Sequence, residues 1–437
     1  MTPTPDATGA GAPPVDPTAS SRTGTAVAWA LLDWAASGFS TVQITLLVAY
    51  VEKIVFADRA WGVEAGVVWA WTLAAAMLAS AVAAPLVAAW ADRTGRHLAA
   101  LVASVVAGAA ALAALAAAPP TARLAVAGGV IVANVAFDMA AIFTGSLLAR
   151  TATGRRADWL SAAGFAAGYL GGALALVAAT AVVQAHDRLG LTTSGGLRAA
   201  FLLTGAWWLL FSLPAARARF GAAPPGEHAA SSGRELADFA RALARGGAGR
   251  DLAAALSGAA LVLGAVQTAI NQFSSVALEE FHLDAAALVR LVLLVQFVAL
   301  PGALAVGWFS ARAGRRAALA VCLTGWIAVL VLAWFVRTPA QLHALAVLLA
   351  LVLGGVQSVI RATVAGLAPA GRAGATFGLL QVAAKISGCG ASLAFGAVYA
   401  LAGNPRTALA ALLVQLLAGW WALRPGRHAM PSTSRIE

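Results

Sequence analysis

Twelve stretches of this chain are each apolar for long enough to cross a bilayer, and that feature restricts the fold more than any other. A spanning helix needs about 20 apolar residues. The runs cover about residues 25–51, 66–90, 98–118, 123–149, 159–184, 199–216, 252–278, 286–310, 317–336, 341–366, 375–402 and 406–423. They are much too long for tilted barrel strands of about ten residues and lack the alternating polarity of a barrel wall. Backbone groups at that depth cannot reach water, which leaves helices. Composition agrees, because 61% hydrophobic and 11% charged residues cannot be hidden inside one soluble core.

A short basic turn occurs twice. Ala91-Asp92-Arg93-Thr94-Gly95-Arg96-His97 follows the second apolar run, and Ser310-Ala311-Arg312-Ala313-Gly314-Arg315-Arg316 follows the eighth, 219 residues later in a chain of 437. An offset of half the length is what internal repeats of transporters produce. The expected fold is all-α and integral to the membrane, with two six-helix halves related by pseudo-two-fold symmetry. The halves are 25–216 and 251–424, joined by a linker at 217–250 and flanked by tails at 1–24 and 425–437.

Basic residues alternate in density from loop to loop. With the N-terminus inside, nineteen of the 29 Lys and Arg face the cytoplasm and eight face outward; Arg361 and Lys385 fall within spans. The positive-inside bias puts both termini in the cytoplasm and the protein in the inner membrane. Topology thus accounts for the net charge of +11 without a nucleic-acid partner. Residues 1–24 have no basic start before an apolar stretch and read as a disordered tail, not a cleaved signal. In the linker, Leu236, Phe239, Ala240 and Leu243 recur at helical spacing opposite Arg234, Arg241 and Arg245. That pattern fits a short helix on an anionic membrane face, or an ordinary solvated helix.

Polar groups inside the spans carry the functional signal, because each is costly at that depth. Asp33 lies about eight residues into span 1, Asp138 about eleven from the cytoplasmic end of span 4, Arg361 about five from that end of span 10, and Lys385 about ten into span 11. At about 1.5 Å per residue, Asp138 and Lys385 both lie roughly 15 Å deep, near the middle of a core about 30 Å thick. Asp33 and Arg361 lie roughly 12 and 8 Å deep by the same arithmetic and are a second candidate pair. Gln43, Asn134, Gln267, Asn271, Gln272, Gln296, Gln357 and Gln381 extend the set. Gln267 and Asn271, Gln357 and Arg361, and Gln381 and Lys385 are four apart, so each pair shares a helical face. One reading is a cavity between an acidic and a basic half, binding a zwitterionic or anionic solute, with a carboxylate carrying a coupling proton. The other is structural ion pairing and interhelical hydrogen bonding, with Arg361 snorkelling to the interface. Gly164, Gly168 and Gly172 form a small-residue ridge for close helix contact.

Enzyme classes find no support. Cys322 and Cys389 lie in spans without metal-ligand spacing, and the six His fall in loops, tails or span ends, so no metal site or catalytic dyad is expected. No Gly-rich stretch resembles a phosphate loop. No cofactor is expected, and energy must come from gradients.

The twelve spans and the Asp92–Arg96 turn resemble the major facilitator superfamily. Four further stretches resemble its vacuole-effluxer branch, bacterial relatives of a fungal vacuolar amino-acid effluxer of autophagy: Asp33-Trp34-Ala35-Ala36-Ser37-Gly38-Phe39, the span 5 run from Ser161 to Gly172, the span 6 run from Trp207 to Pro214, and the span 10 run from Gly354 to Arg361. The resemblance implies a rocker-switch carrier whose spans 1, 4, 7 and 10 line the cavity. It also implies a gate built on Asp92, Arg93, Gly95 and Arg96, with Arg312, Gly314 and Arg315 as the second copy. Asp92 would sit at the N-terminal end of span 11, where a carboxylate is favoured by unpaired amides, and Arg93 would join charges on spans 4 and 5. The chain departs from the pattern at Ala88, at Ala311 in place of an acid, and in span 7, where Gly264-Ala265-Val266-Gln267-Thr268 lacks one. The expected function is gradient-driven transport, by a monomer, of a small polar organic solute such as an amino acid or related metabolite, directed outward. The alternatives are a multidrug or natural-product exporter of the same fold and a non-transporting sensor or scaffold.

Overall fold

The computed structural model describes residues 17–57, 59, 61–151, 154–218, 220, 241, 250–367 and 373–423. Among them are twelve helices long and apolar enough to cross a membrane, and no strand. Helix α1 (Pro17–Val42) runs on through π-helical turns at Gln43–Leu47 and Val51–Val55. It is followed by α2 (Ala65–Thr94), α3 (His97–Ala117), α4 (Arg123–Thr151), α5 (Gly154–Gln184) and α6 (Thr193–Arg217). The second half comprises α7 (Arg250–Glu280), a helical stretch Ala285–Leu332 that a kink at Gly314 divides into α8 (285–313) and α9 (315–332), then α10 (Pro339–Leu367), α11 (Ala373–Ala402) and α12 (Pro405–Leu423). Twelve crossings bring the chain back to the face on which it starts. The expected linker helix around Leu236, Phe239 and Leu243 lies outside the described residues, as do the side chains of Asp92, Arg93 and Arg361.

Both repeated turns bend on a glycine at positive φ. Gly95 closes α2 in the left-handed region (φ 70°, ψ 7°), and the Arg96 N–H bonds back to the Ala91 carbonyl at 3.1 Å, a helix-ending geometry that glycine adopts without strain. Gly314 (φ 85°, ψ 158°) parts α8 from α9.

Large apolar side chains stay exposed on the outer wall, among them Leu86 at 67%, Phe297 at 64% and Leu304 at 66%. In water such a surface would drive aggregation; in a bilayer it is the lipid face. Inside the first half, α5 lies close against α1 through its glycine ridge. A Cβ added at Gly164 would stand 2.5 Å from Asp33 Oδ2, at Gly168 2.7 Å from Ser37 Oγ, and at Gly172 2.5 Å from Thr41 Oγ1. The ridge therefore packs on a polar stripe of α1 repeating every four residues. Between halves, Trp71 of α2 meets Gly396 of α11, Met77 of α2 meets Gly388 of α11, and Gly172 of α5 meets Gln296 of α8.

Candidate functional site

A cavity of about 270 Å³ lies between the two halves. Its polar wall is Ser40, Thr41, Gln43, Asn134 and Asp138 from the first half, and Gln267, Asn271, Gln296 and Lys385 from the second. Ile44, Phe137, Ile270, Phe273 and Val292 supply apolar surface. The π-helical turn at Gln43–Leu47 rotates the end of α1 so that Gln43 meets the cavity, as such bulges often do at functional positions.

The strongest polar contact in the cavity joins the halves. Lys385 Nζ of α11 donates to Asp138 Oδ1 of α4 at 2.5 Å, with both side chains partly buried. The charges are opposite and hydrogen-bonded, which is how charge is tolerated at membrane depth. Around them, the Gln267 amide donates to Asn271 Oδ1 at 3.3 Å, Gln296 donates to Thr41 Oγ1 at 3.0 Å, and Asn134 donates to the Val130 carbonyl at 2.9 Å. The Gln296–Thr41 bond is a second bridge between halves.

The other expected residues are placed differently. Asp33 is turned toward α5, its carboxylate against Gly164, and is not among the residues lining the cavity. Gln357 is half-buried and Gln381 exposed, and neither lines the cavity. Of the turn residues with described side chains, Arg96, Arg312 and Arg315 are exposed, and the Arg312 guanidinium lies 4.1 Å from the centroid of the Trp308 ring, a cation–π contact. Among the described residues, no group of three His, Cys, Asp or Glu side chains is placed to hold a metal ion.

A charged seal at the opposite face from the chain ends was not foreseen. Lys53, in the extension of α1, pairs with Glu279 of α7 at 3.3 Å. About two turns nearer the cavity on α7, Trp69 of α2 donates to the Asn271 carbonyl at 3.3 Å, and next to Glu279 on α7, Glu280 pairs with Arg406 of α12 at 3.0 Å. The sequence did hold a signal. Lys53 and Glu279 are 226 residues apart, close to the offset of the repeated turn, so they occupy matching ends of the first helix of each half with opposite charge.

A twelve-helix bundle in two halves around a polar cavity defines a major facilitator transporter. Residues 61–424 match the family described as "Vacuole effluxer Atg22 like", and the chain belongs to that family. A protein of Bacillus subtilis (strain 168) described as "Uncharacterized MFS-type transporter YxiO" is 26% identical over 399 residues, covering 90% of this chain and 92% of that one. Among solved structures, the inward-open xylose transporter XylE from E. coli superposes with a TM-score of 0.68 at 13% identity, covering 91% of this chain and 95% of that one. The human organic anion transporter MFSD10 gives 0.61 at 16% identity, covering 94% and 100%. At such identities the likeness shows the fold.

Proposed function

We propose that this protein is an alternating-access secondary transporter that moves a small zwitterionic solute, such as an amino acid or related metabolite, outward across the inner membrane, with both termini in the cytoplasm. The observation that carries this reading is the Lys385–Asp138 pair, which spans the two halves at the cavity. An ammonium and a carboxylate already paired with each other can exchange partners with a solute bearing the same two groups, leaving no charge uncompensated. The solute carboxylate takes Lys385 and its ammonium takes Asp138. Phe137, Ile270 and Phe273 then pack on the rest of the molecule. The cavity volume of about 270 Å³ lies just below the ~300–1,000 Å³ of drug-sized ligand pockets, which favours a solute of amino-acid size. Once the solute has replaced the direct pair, the halves are joined through it, and rocking them about the cavity moves it from one face to the other. Protons are the coupling ion in this scheme.

Counterflow in proteoliposomes tests the proposal. Vesicles preloaded with an unlabelled amino acid should accumulate its labelled form transiently and saturably. A panel of amino acids and related metabolites giving no saturable flux under any ion gradient would remove the amino-acid reading.

A further inference from the structure

Glu52 is a fully buried acid that the cavity does not use. It sits in the π-helical extension of α1 at 1% exposure, inside the seal at the face opposite the chain ends. Four helices close over it: its own, α7 through Ser275, and α2 and α11 where Gly66 and Tyr399 crowd together with Ser275 Oγ and Glu52 Oε1. Among the described residues, Ser275 is the one hydroxyl within reach of the Glu52 carboxyl, and their contact falls short of a well-formed hydrogen bond. The charges around it are engaged elsewhere. Lys53 on its own element pairs with Glu279 of α7, Glu64 ahead of α2 pairs with Arg59, and Glu280 pairs with Arg406.

An ionised carboxylate buried there with one hydroxyl and no cation of its own is costly. A carboxylic acid carries no charge and has an O–H to offer. Opening the seal by parting α1 from α7 would admit water and let the same group ionise. Gln272, Ser275 and Glu279 follow at spacings of three and four on one face of α7, the face that Glu279 shows to be turned toward α1. Gln272 is fully buried with both amide atoms unpartnered, so the stripe runs from the exposed pair toward the cavity residue next to it, Asn271.

We propose that Glu52 is the proton-binding site of transport: the seal closes on the neutral acid and opens on the carboxylate. Opening releases one proton from the Glu52 carboxyl to water, and closing takes one up. The proposal rests on the alternating-access reading and leaves Asp138, whose oxygen is committed to Lys385, to the solute site. Raising the pH therefore favours the open seal.

Spin labels at Ala57→Cys and His282→Cys, in a Cys322→Ser, Cys389→Ser background in lipid nanodiscs, read the separation of the sealed ends without any substrate. In the otherwise unaltered protein the ratio of long to short distances should rise with pH, by up to about tenfold per unit for a single linked proton. Glu52→Gln should hold the short distance at every pH, and Glu52→Asp should restore the response. A pH-independent distance before any change at Glu52, a response of the opposite sign, or a response that survives Glu52→Gln overturns the proposal. Absent flux with an intact pH response would remove the solute reading alone, whereas flux without a pH response at the seal would remove this one.

Discussion

Lys385 Nζ stands 2.5 Å from Asp138 Oδ1, and this ion pair ties α11 of the second half to α4 of the first across the cavity. Removing one partner from a buried pair typically costs about 3–5 kcal/mol because the other charge is stranded; here the cavity lets water reach both groups, so a loss of about 1–3 kcal/mol is expected. Asp138→Asn should lower the melting temperature in detergent and abolish flux of a zwitterion. The double change Asp138→Asn with Lys385→Gln should recover most of the stability and none of the flux. Recovery of flux in the double variant would show that the pair is structural.

The Lys53–Glu279 contact should set the resting state of the seal. Both side chains are substantially exposed, at 43% and 28%, and exposed pairs contribute about 0.2–1 kcal/mol. Lys53→Ala should therefore raise the open-seal population by at most about fivefold, and the exchange Lys53→Glu with Glu279→Lys should bring it back. The distance between labels at the ends of α1 and α7 measures this. A shift of the same size in the exchanged variant would argue against pairing as the cause.

The glycine ridge makes a sharper distinction between sites of one residue type. Gly172→Ala must displace Thr41 Oγ1 and with it the Gln296 hydrogen bond, so overpacking of about 1–3 kcal/mol is expected together with impaired flux. Gly128 and Gly145 have nothing within 4 Å of an added Cβ, and alanine there should be neutral or mildly stabilising. Equal melting temperatures for all three variants would mean that α5 and α1 are not in close contact in the bilayer.

The twelve spans were legible because a bilayer imposes both length and apolarity on each, and residue count along a helix matched Asp138 with Lys385 in depth while leaving Asp33 with Arg361 as an open alternative. Depth gives no azimuth. Asp33 shares a depth range with Arg361, yet its carboxylate is turned to Gly164 of α5, a neighbour that only packing decides. Gln381 precedes Lys385 by one turn and is nevertheless exposed and outside the cavity. Lys53 and Glu279 escaped notice for a related reason: charges at span ends are usually solvated, and only the closure of α1 on α7 turns these two into a contact. The expected role of the repeated turn came from the family resemblance, whereas what the structure adds is backbone: both copies hinge on a glycine at positive φ.

Those two glycines should respond differently to substitution. Gly95 lies at φ 70°, ψ 7°, a left-handed conformation in which a single L residue costs about 1–2 kcal/mol and Asn less than most. Gly314 lies at φ 85°, ψ 158°, a region open essentially to glycine alone, where other residues cost about 1–3 kcal/mol. Gly95→Asn should thus keep nearly full stability, while Gly314→Asn should lower the melting temperature clearly or force α8 and α9 into a new angle. Asp92 adds a second asymmetry, since the other copy has Ala311 in its place and is pinned by Arg312 over Trp308 instead. Asp92→Asn should shift the balance of open states without unfolding the protein, and Arg312→Ala should act on the α8–α9 turn through lost packing. Cysteine accessibility in the cavity reports the first and thermal stability the second. Matching responses of the two measurements to both substitutions would show that the copies work alike despite their different residues.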